Sequence, residues 1–434
     1  MTGGPWPEVR FGEWFEKYGR DLSTPLELEG ITVEPLYTAK HPHRRGDVVP
    51  TSAPSWRPPQ WLVCQGYPMG DPRQLNRWLR ADFDKGVTMA HLHCSRAVGQ
   101  WKSGDLATAL EGLDGQWRGL MVDTGGALQP AIDALDIWFE SSRIDPGNRL
   151  LALAADPLNL PGDPGSAAED VHRFERDLAG LLRQRRAWHG LRPLVASGRA
   201  LCESGAEADQ ELGIALALGV HYLRFLEKRG VEPAEAASRL VFEVSIGPRI
   251  FLEVAKLRAL RALWELVLRG CRVSPAPPVW LHASVLQRSL PAVDPPADLL
   301  RVTHASWVAA VGGADSLETA LRSDTESGGR SERYCRWMRN VQHVLQLEAH
   351  LGVVADPARG SYALESMTEA LMDAGWTRFQ EIESRGGILA AWHSGWLGAE
   401  IAERERRRRE GVESGEIPVL GVNRFRQSAA EDSM

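Results

Sequence analysis

His91 and His93 are the residues of this sequence whose spacing most directly suggests chemistry. Side chains two positions apart on a β-strand project to the same face, so the two imidazoles could bind one zinc ion. A hydrolytic zinc site in a barrel also needs a lysine or further histidines, and an aspartate, at the ends of later strands. None of the six lysines lies at a predicted strand end, and His282 and His304 fit poorly. The sequence therefore disfavours a metal-dependent hydrolase.

The bulk composition excludes several other classes. Five widely spaced cysteines, with no Cys-x-x-Cys pair, predict reduced thiols in a cytoplasmic protein, not a disulfide framework or a cysteine zinc site. The formal net charge of −7 disfavours nucleic acid as a partner. We find no apolar run long enough to span a bilayer and no signal-peptide pattern after Met1, so no membrane association is expected.

The hydrophobic pattern predicts a parallel α/β fold. From about residue 86, short apolar runs alternate with helix-like stretches such as 205–226, 249–268 and 331–349. Eight strands joined by helices favour a closed (β/α)8 TIM barrel, although the pattern alone also permits an open, doubly wound sheet. The predicted strands are 87–93, 119–123, 150–155, 193–197, 240–246, 279–285, 315–321 and 352–355.

Three regions are expected along the chain. Residues 1–60 are rich in proline and tryptophan, without sustained periodicity, and are interpreted as an extended arm that contacts another subunit; a disordered tail is the alternative. Residues 61–385 form the barrel, and residues 386–434 a helical C-terminal tail. The mixed-charge run at 403–410 of this tail predicts a solvated helix face.

The most specific pattern lies in residues 339–365: Arg339-Asn340-x-Gln342, then Glu348, then Asp356-Pro-x-x-Gly360-Ser361 and Glu365. Related pieces in a fixed order are Trp61-x-x-x-Gln65, Ser197-Gly198, Asp209-x-Glu211 and Glu253-x-x-Lys256-x-Arg258. Together they resemble the substrate barrel of the methylmalonyl-CoA mutase family. The turn residues at 356–361 also have a purely structural interpretation, as markers of the fold.

The resemblance implies a reaction that this chain is not expected to catalyse. In the family, the barrel binds an acyl-CoA along its axis, and a second domain presents adenosylcobalamin. A tyrosine lines the radical path and a histidine holds the thioester. The family's Ser-Gly-Tyr-His is here Ser197-Gly198-Arg199-Ala200, and a family tyrosine is replaced by Gly66. We therefore expect no catalytic residues, since Arg199 and Ala200 replace the Tyr-His pair.

Some family positions persist as vestigial candidates for binding. The resemblance assigns Ser197, Gly198, His282 and Gln65 to substrate-binding positions, and Glu348 to a position near the cobalamin. The strand with His282 lacks the arginine and glutamine of catalytic relatives. Without a cofactor, Glu348 would be only a capping or surface carboxylate. Arg199 is expected to fill the axial space of the barrel beside a carboxylate, with Glu203 and Glu243 as the nearest candidates.

The cobalamin motif of the family is Asp-x-His-x-x-Gly, whose histidine is the lower cobalt ligand. The only Asp-x-His of this sequence is Asp170-Val-His172, without the glycine. We therefore expect this chain alone to bind no cofactor, with adenosylcobalamin in a partner subunit.

Some relatives pair a catalytic subunit with a shorter, degenerate one, which this sequence resembles through Trp14-Phe15 and Pro35-Leu-Tyr37-Thr38. The expected function is the non-catalytic small subunit of a heterodimeric methylmalonyl-CoA mutase, with acyl-CoA as a candidate ligand. One alternative is the barrel of a related acyl-CoA mutase that pairs with a separate cobalamin-binding protein. Another is a scaffold or regulatory barrel without mutase activity.

Overall fold

The computed structural model describes residues 26–34, 37, 61–93, 103–113, 117–124, 128–142, 149–154, 168–320 and 331–426. Most of the predicted arm, including its aromatic residues between 6 and 18, lies outside these ranges. The described part of the arm is a short antiparallel hairpin of β1 (Leu26–Leu28) and β2 (Ile31–Val33).

The described residues include nine strands that form one parallel sheet closed into a barrel. Strand β7 pairs with β6, and β8 pairs with β9. Only Pro193, which has no backbone N–H to donate, separates β7 from β8, so the two act as one interrupted strand in a ring of eight. The predicted (β/α)8 barrel is confirmed. The strands are β3 (Leu62–Pro68), β4 (Met89–His93), β5 (Gly119–Asp123), β6 (Leu150–Ala154), β7 (Leu191–Arg192), β8 (Leu194–Ser197), β9 (Leu240–Ile246), β10 (Trp280–Val285) and β11 (Ser316–Glu318).

Among the barrel strands, one predicted strand is wrong and one strand was missed. Residues 352–355 form a turn after a π-helical segment, Val344–Glu348, and Val353 and Val354 there are exposed. A short apolar run predicts a strand only if it is buried, and this one is not. The missing strand is β3, whose apolar run is cut short by glutamine and glycine.

Helices connect the strands and cover the barrel. The predicted helices at 205–226, 249–268 and 331–349 are present, the last one ending in the π-helical segment. The helices are α1 (Pro72–Phe83), α2 (Ser103–Leu110), α3 (Leu128–Ser142), α4 (Ala168–Gln184), α5 (Arg199–Glu203), α6 (Ala208–Glu227), α7 (Pro233–Ser238), α8 (Ile250–Gly270), α9 (Pro295–Val311), α10 (Glu332–His343), α11 (Tyr362–Ser384), α12 (Ile388–His393) and α13 (Trp396–Ser414). None of the helices in the described ranges is long and apolar enough to cross a bilayer.

Several residues of the family pattern fix helices to one another. On α8, the Lys256 ammonium lies 2.6 Å from a carboxylate oxygen of Glu211, and both side chains are buried. Arg258 donates to Asp356 at 3.0 and 3.2 Å and to Glu365 at 2.8 Å, which joins α8 to the turn and first residues of α11. These contacts support the interpretation of the 356–361 segment as a marker of the fold.

The C-terminal tail packs against the same side of the barrel as the β1–β2 hairpin. Arg404 of α13 donates to both carboxylate oxygens of Asp209, at 2.6 and 2.8 Å. Glu29, at the turn of the hairpin, accepts a hydrogen bond from Ala208 N at 2.8 Å and contacts Arg249. The predicted solvated face of α13 is present at residues such as Arg407, whereas Arg404 is directed toward the barrel.

Candidate functional site at the barrel mouth

Alternate residues of each barrel strand face the axis, and their character changes along it. Toward the amino ends of the strands the axis is apolar and includes Leu62, Met89, Met121, Leu150 and Val241. At the carboxyl ends, where barrel enzymes bind their substrates, charged residues replace them. We call this group the barrel mouth: His91, His93, Asp123, Ser197, Arg199, Glu243, His282 and Glu318.

Two histidines and two carboxylates form the centre of the mouth. His91 lies 2.6 Å from Glu318 through Nδ1 and 3.0 Å from Asp123 through Nε2. His93 makes the reverse pair of contacts, 3.2 Å to Asp123 through Nδ1 and 2.8 Å to Glu318 through Nε2. An ionised carboxylate only accepts hydrogen bonds, so each ring nitrogen that faces one must carry a proton. The geometry is therefore that of two imidazolium rings held between two carboxylates.

The electrostatics of these groups agree with that protonation. Burial lowers the pKa of His91, but the charges of Asp123 and Glu318 outweigh it and raise the pKa to about 10. Burial also lowers the pKa of His93, but Glu318 and Asp123 raise it above its usual value overall. Burial favours the neutral forms of Glu318 and Asp123, yet the adjacent histidines hold the pKa of Glu318 well below its usual range and also lower that of Asp123. These shifts favour the charged form of all four groups.

Arg199 adds a third cation. Its Nη1 donates to Glu243 Oε1 at 3.2 Å and lies 3.8 Å from Glu318 Oε2. The second oxygen of Glu243 accepts a 2.6 Å hydrogen bond from Ser197. The prediction of a carboxylate beside Arg199 is confirmed for Glu243. Glu203 instead accepts hydrogen bonds from the backbone N–H groups of residues 287 and 288.

Gly66 leaves the space that this network occupies. A Cβ atom built on Gly66 would lie 2.4 Å from Glu318 Oε1 and 2.7 Å from His93 Nε2. A tyrosine at this position, as in the family pattern, must displace both side chains. Tyr67 cannot substitute for it, because Tyr67 points to the other face of β3 and donates to Asp82 at 3.0 Å.

The structure brings together some of the predicted binding residues and separates others. Ser197 and His282 lie in the mouth, and Gly198 directly follows Ser197. Gln65 faces away from the axis and accepts a 3.3 Å hydrogen bond from Arg339 of α10. Glu348 is exposed near the opposite end of the barrel, where its neighbour Gln346 donates to the carbonyl of Trp61, just before β3.

Asp123 and Glu318 are the site residues that the sequence analysis missed. Asp123 is the last residue of a predicted strand, and Glu318 lies within another, so strand-end carboxylates were the available signal. A third histidine also lies close to His91: the ring centroids of His91 and His282 are 5.6 Å apart. The expectation that His282 fits poorly with His91 is therefore wrong, because barrel closure brings β4 and β10 to the same axis. His304 lies apart from the mouth, on α9.

The charged groups of the mouth are paired with one another and so are poorly placed for acid–base catalysis. Three cations and three carboxylates balance one another, and both protons of His91 and of His93 are directed at carboxylates. No imidazole proton of this pair is left for a substrate carbonyl. Asp170 and His172, which have the spacing of the first two residues of the cobalamin motif, belong to α4.

Comparison with known proteins agrees with the sequence pattern. The family described as methylmalonyl-CoA mutase matches residues 183–434. The methylmalonyl-CoA mutase small subunit of Streptomyces virginiae is 35% identical over 93% of this chain and 66% of its own length. The probable small subunit of Mycobacterium tuberculosis is 31% identical over 84% of this chain and 59% of its own length. For the small subunit of Porphyromonas gingivalis the values are 27%, 96% and 70%.

The chain thus spans only about two thirds of the length of these relatives, while their similarity extends over most of its own barrel. The family match covers more than half of the chain, including β8 to β11 and the Arg258 and Lys256 contacts. This chain belongs to the methylmalonyl-CoA mutase family.

Proposed function

We propose that this chain is the non-catalytic small subunit of an adenosylcobalamin-dependent methylmalonyl-CoA mutase. In this proposal, a catalytic subunit carries the cofactor and interconverts methylmalonyl-CoA and succinyl-CoA. The two subunits form a heterodimer in the cytoplasm. The small-subunit names of the relatives support the existence of a partner.

The observation that carries the proposal is the ion network at the barrel mouth. Arg199 lies where the family pattern has tyrosine and contacts Glu243, and Gly66 makes room for Glu318 and His93. By the family resemblance, the reacting end of an acyl-CoA substrate would lie in this same part of the barrel. An acyl-CoA thioester would have to displace several mutually paired charges there, at a cost of several kcal/mol.

The contacts at the edge of the mouth also support a barrel that does not catalyse the reaction. Ala200 is the second residue of the short helix α5, directly after Arg199, and has no group that can hold a thioester carbonyl. The polar atoms of Ser197 and Glu243 are already hydrogen-bonded to each other. In the proposed complex, this barrel therefore stabilises its partner and does not turn over substrate.

The test is to co-express this chain with a catalytic mutase subunit and to purify the complex. We expect a 1:1 assembly by light scattering, and isomerisation of methylmalonyl-CoA on addition of adenosylcobalamin. Inactivating the barrel of the partner should abolish all turnover, because this chain contributes no active site.

Two results would contradict the proposal, in different ways. Turnover that persists after inactivation of the partner's barrel would assign catalysis to this chain, with the partner acting as a cobalamin carrier. Failure to assemble with any mutase subunit would favour the scaffold or regulatory alternative. The matched control is the same complex with an intact partner barrel, which must be active.

A further inference from the structure

The floor of the barrel mouth brings three potential metal ligands together. Cys64, His282 and Glu318 belong to β3, β10 and β11, which are adjacent in the order β3–β11–β10. Glu318 is directly opposite Cys64 in the register of its strand pair. The sulfur, nitrogen and oxygen ligand atoms of these residues all lie within 4.8 Å of one another, and all three residues are buried.

His282 has an unused nitrogen at this place. Its Nδ1 lies 2.8 Å from Ser316 Oγ, which also accepts a 3.0 Å hydrogen bond from Trp280 Nε1. Its Nε2 is buried and has no hydrogen-bond partner within 3.5 Å; the nearest carboxylate oxygen, Glu318 Oε2, lies 3.7 Å away. A buried polar atom without a partner is costly, and in a native protein it calls for a bound water, an ion or a functional role. If Nδ1 carries the proton, Nε2 presents its lone pair to the cluster.

Neighbouring residues orient His282 and Glu318 through hydrogen bonds, as is usual for the ligands of a metal ion. Ser316 orients the His282 ring, and His91 and His93 each donate to one oxygen of Glu318, at 2.6 and 2.8 Å. Metal-binding histidines and carboxylates usually have such orienting hydrogen bonds. A set of one sulfur, one nitrogen and one oxygen donor suits zinc or a similar ion better than magnesium or calcium, which prefer oxygen ligands.

We propose that this chain binds one divalent transition-metal ion of the zinc class through Cys64 Sγ, His282 Nε2 and the Glu318 carboxylate. Cys64 loses its proton on binding, and the ion takes the place of the absent contact at His282. This site differs from the pairing of His91 with His93 considered from the sequence: those two histidines orient Glu318 and are not ligands. The proposal does not depend on the mutase assignment.

The experiment uses the full chain, freed of metal with a chelator and titrated with Zn²⁺ in a calorimeter. We expect one ion per chain, and a higher unfolding temperature in its presence, because an ion that binds only the native state stabilises it. Cys64→Ser and His282→Gln should each weaken Zn²⁺ binding by more than the ~10–100-fold that loss of an orienting neighbour costs. Cys335→Ser, at a buried cysteine on α10, is the matched control and should leave the affinity unchanged.

A second measurement does not depend on the folding of the variants. Co²⁺ bound by the unaltered protein should show a thiolate-to-cobalt charge-transfer band in the near ultraviolet. Lack of stoichiometric Zn²⁺ uptake, or a cobalt spectrum without that band, would overturn the proposal. So would a folded His93→Gln variant that loses Zn²⁺ while Cys64→Ser retains it, since the ion would then lie between His91 and His93.

Discussion

Arg199 Nη1 donates to Glu243 Oε1 at 3.2 Å, which ties the start of α5 to the carboxyl end of β9. The Arg199 side chain is only 24% exposed and that of Glu243 only 7%, so neither charge is well solvated without the other. Burial opposes ionisation of Glu243, but Arg199 lowers its pKa. Arg199 is thus part of the structure of the barrel mouth.

Replacing Arg199 by methionine should destabilise the chain by about 3 kcal/mol, because Glu243 would remain buried without its cation. The double variant Arg199→Met, Glu243→Gln should recover much of this loss, since no unpaired charge is left. Urea unfolding of the single and double variants measures both effects. Additive losses in the double variant would mean that the two side chains are not coupled.

Restoring the family pair with Arg199→Tyr and Ala200→His should not produce turnover in this barrel. Gly66 still lacks the second tyrosine, and Glu318 and His93 still fill the space beside it. The assay is isomerisation of methylmalonyl-CoA by the complex, with the barrel of the partner inactivated and adenosylcobalamin present. Activity of this variant would show that the mouth has diverged little from a catalytic one.

Deleting residues 1–25 should abolish assembly with a mutase partner while leaving the barrel folded. The aromatic residues of this segment, such as Trp14 and Phe15, are typical anchors of an interface. The deletion must stop before Leu26, because Glu29 contacts Ala208 and Arg249. Circular dichroism checks the fold and size-exclusion chromatography checks the complex. Undiminished assembly of the truncated chain would contradict the role of the arm.

Arg404 and Arg407 offer a matched pair of substitutions on α13. Arg404→Ala should cost about 2 kcal/mol, because it removes two charge-assisted hydrogen bonds to Asp209 that attach the tail to the barrel. Arg407, which is 72% exposed and pairs only within its helix, should change stability by less than about 0.5 kcal/mol when replaced by alanine. Thermal unfolding compares the two; equal effects would argue against a docked tail.

The isolated chain should not bind adenosylcobalamin stoichiometrically. Asp170 and His172, the only residues with the spacing of the lower-ligand motif, lie within a helix and not on a loop. Equilibrium dialysis with the pure protein provides the measurement, with a cobalamin-binding mutase as the positive control. Saturable micromolar binding of one cofactor per chain would contradict this expectation.

Much of the architecture could be predicted from the sequence because it depends on local patterns. The periods of apolar residues predicted seven of the eight barrel strands, six of them within two residues, and helix α8 within two residues. The spacing from Arg339 to Glu365 indicated the family before any contact was known. Arg199 next to a strand end was sufficient to predict a carboxylate partner, since a buried guanidinium requires one.

The tertiary structure alone decided which residues meet at the axis. Strands of a parallel barrel are buried on both faces, so their sequences do not show which alternate residues point inward. In β3, for example, Cys64 faces the axis, whereas the adjacent Gln65 faces α10. His91 and Glu318 are 227 residues apart, and only closure of the sheet between β3 and β11 brings them to 2.6 Å. The charge network that distinguishes this barrel is a product of that closure.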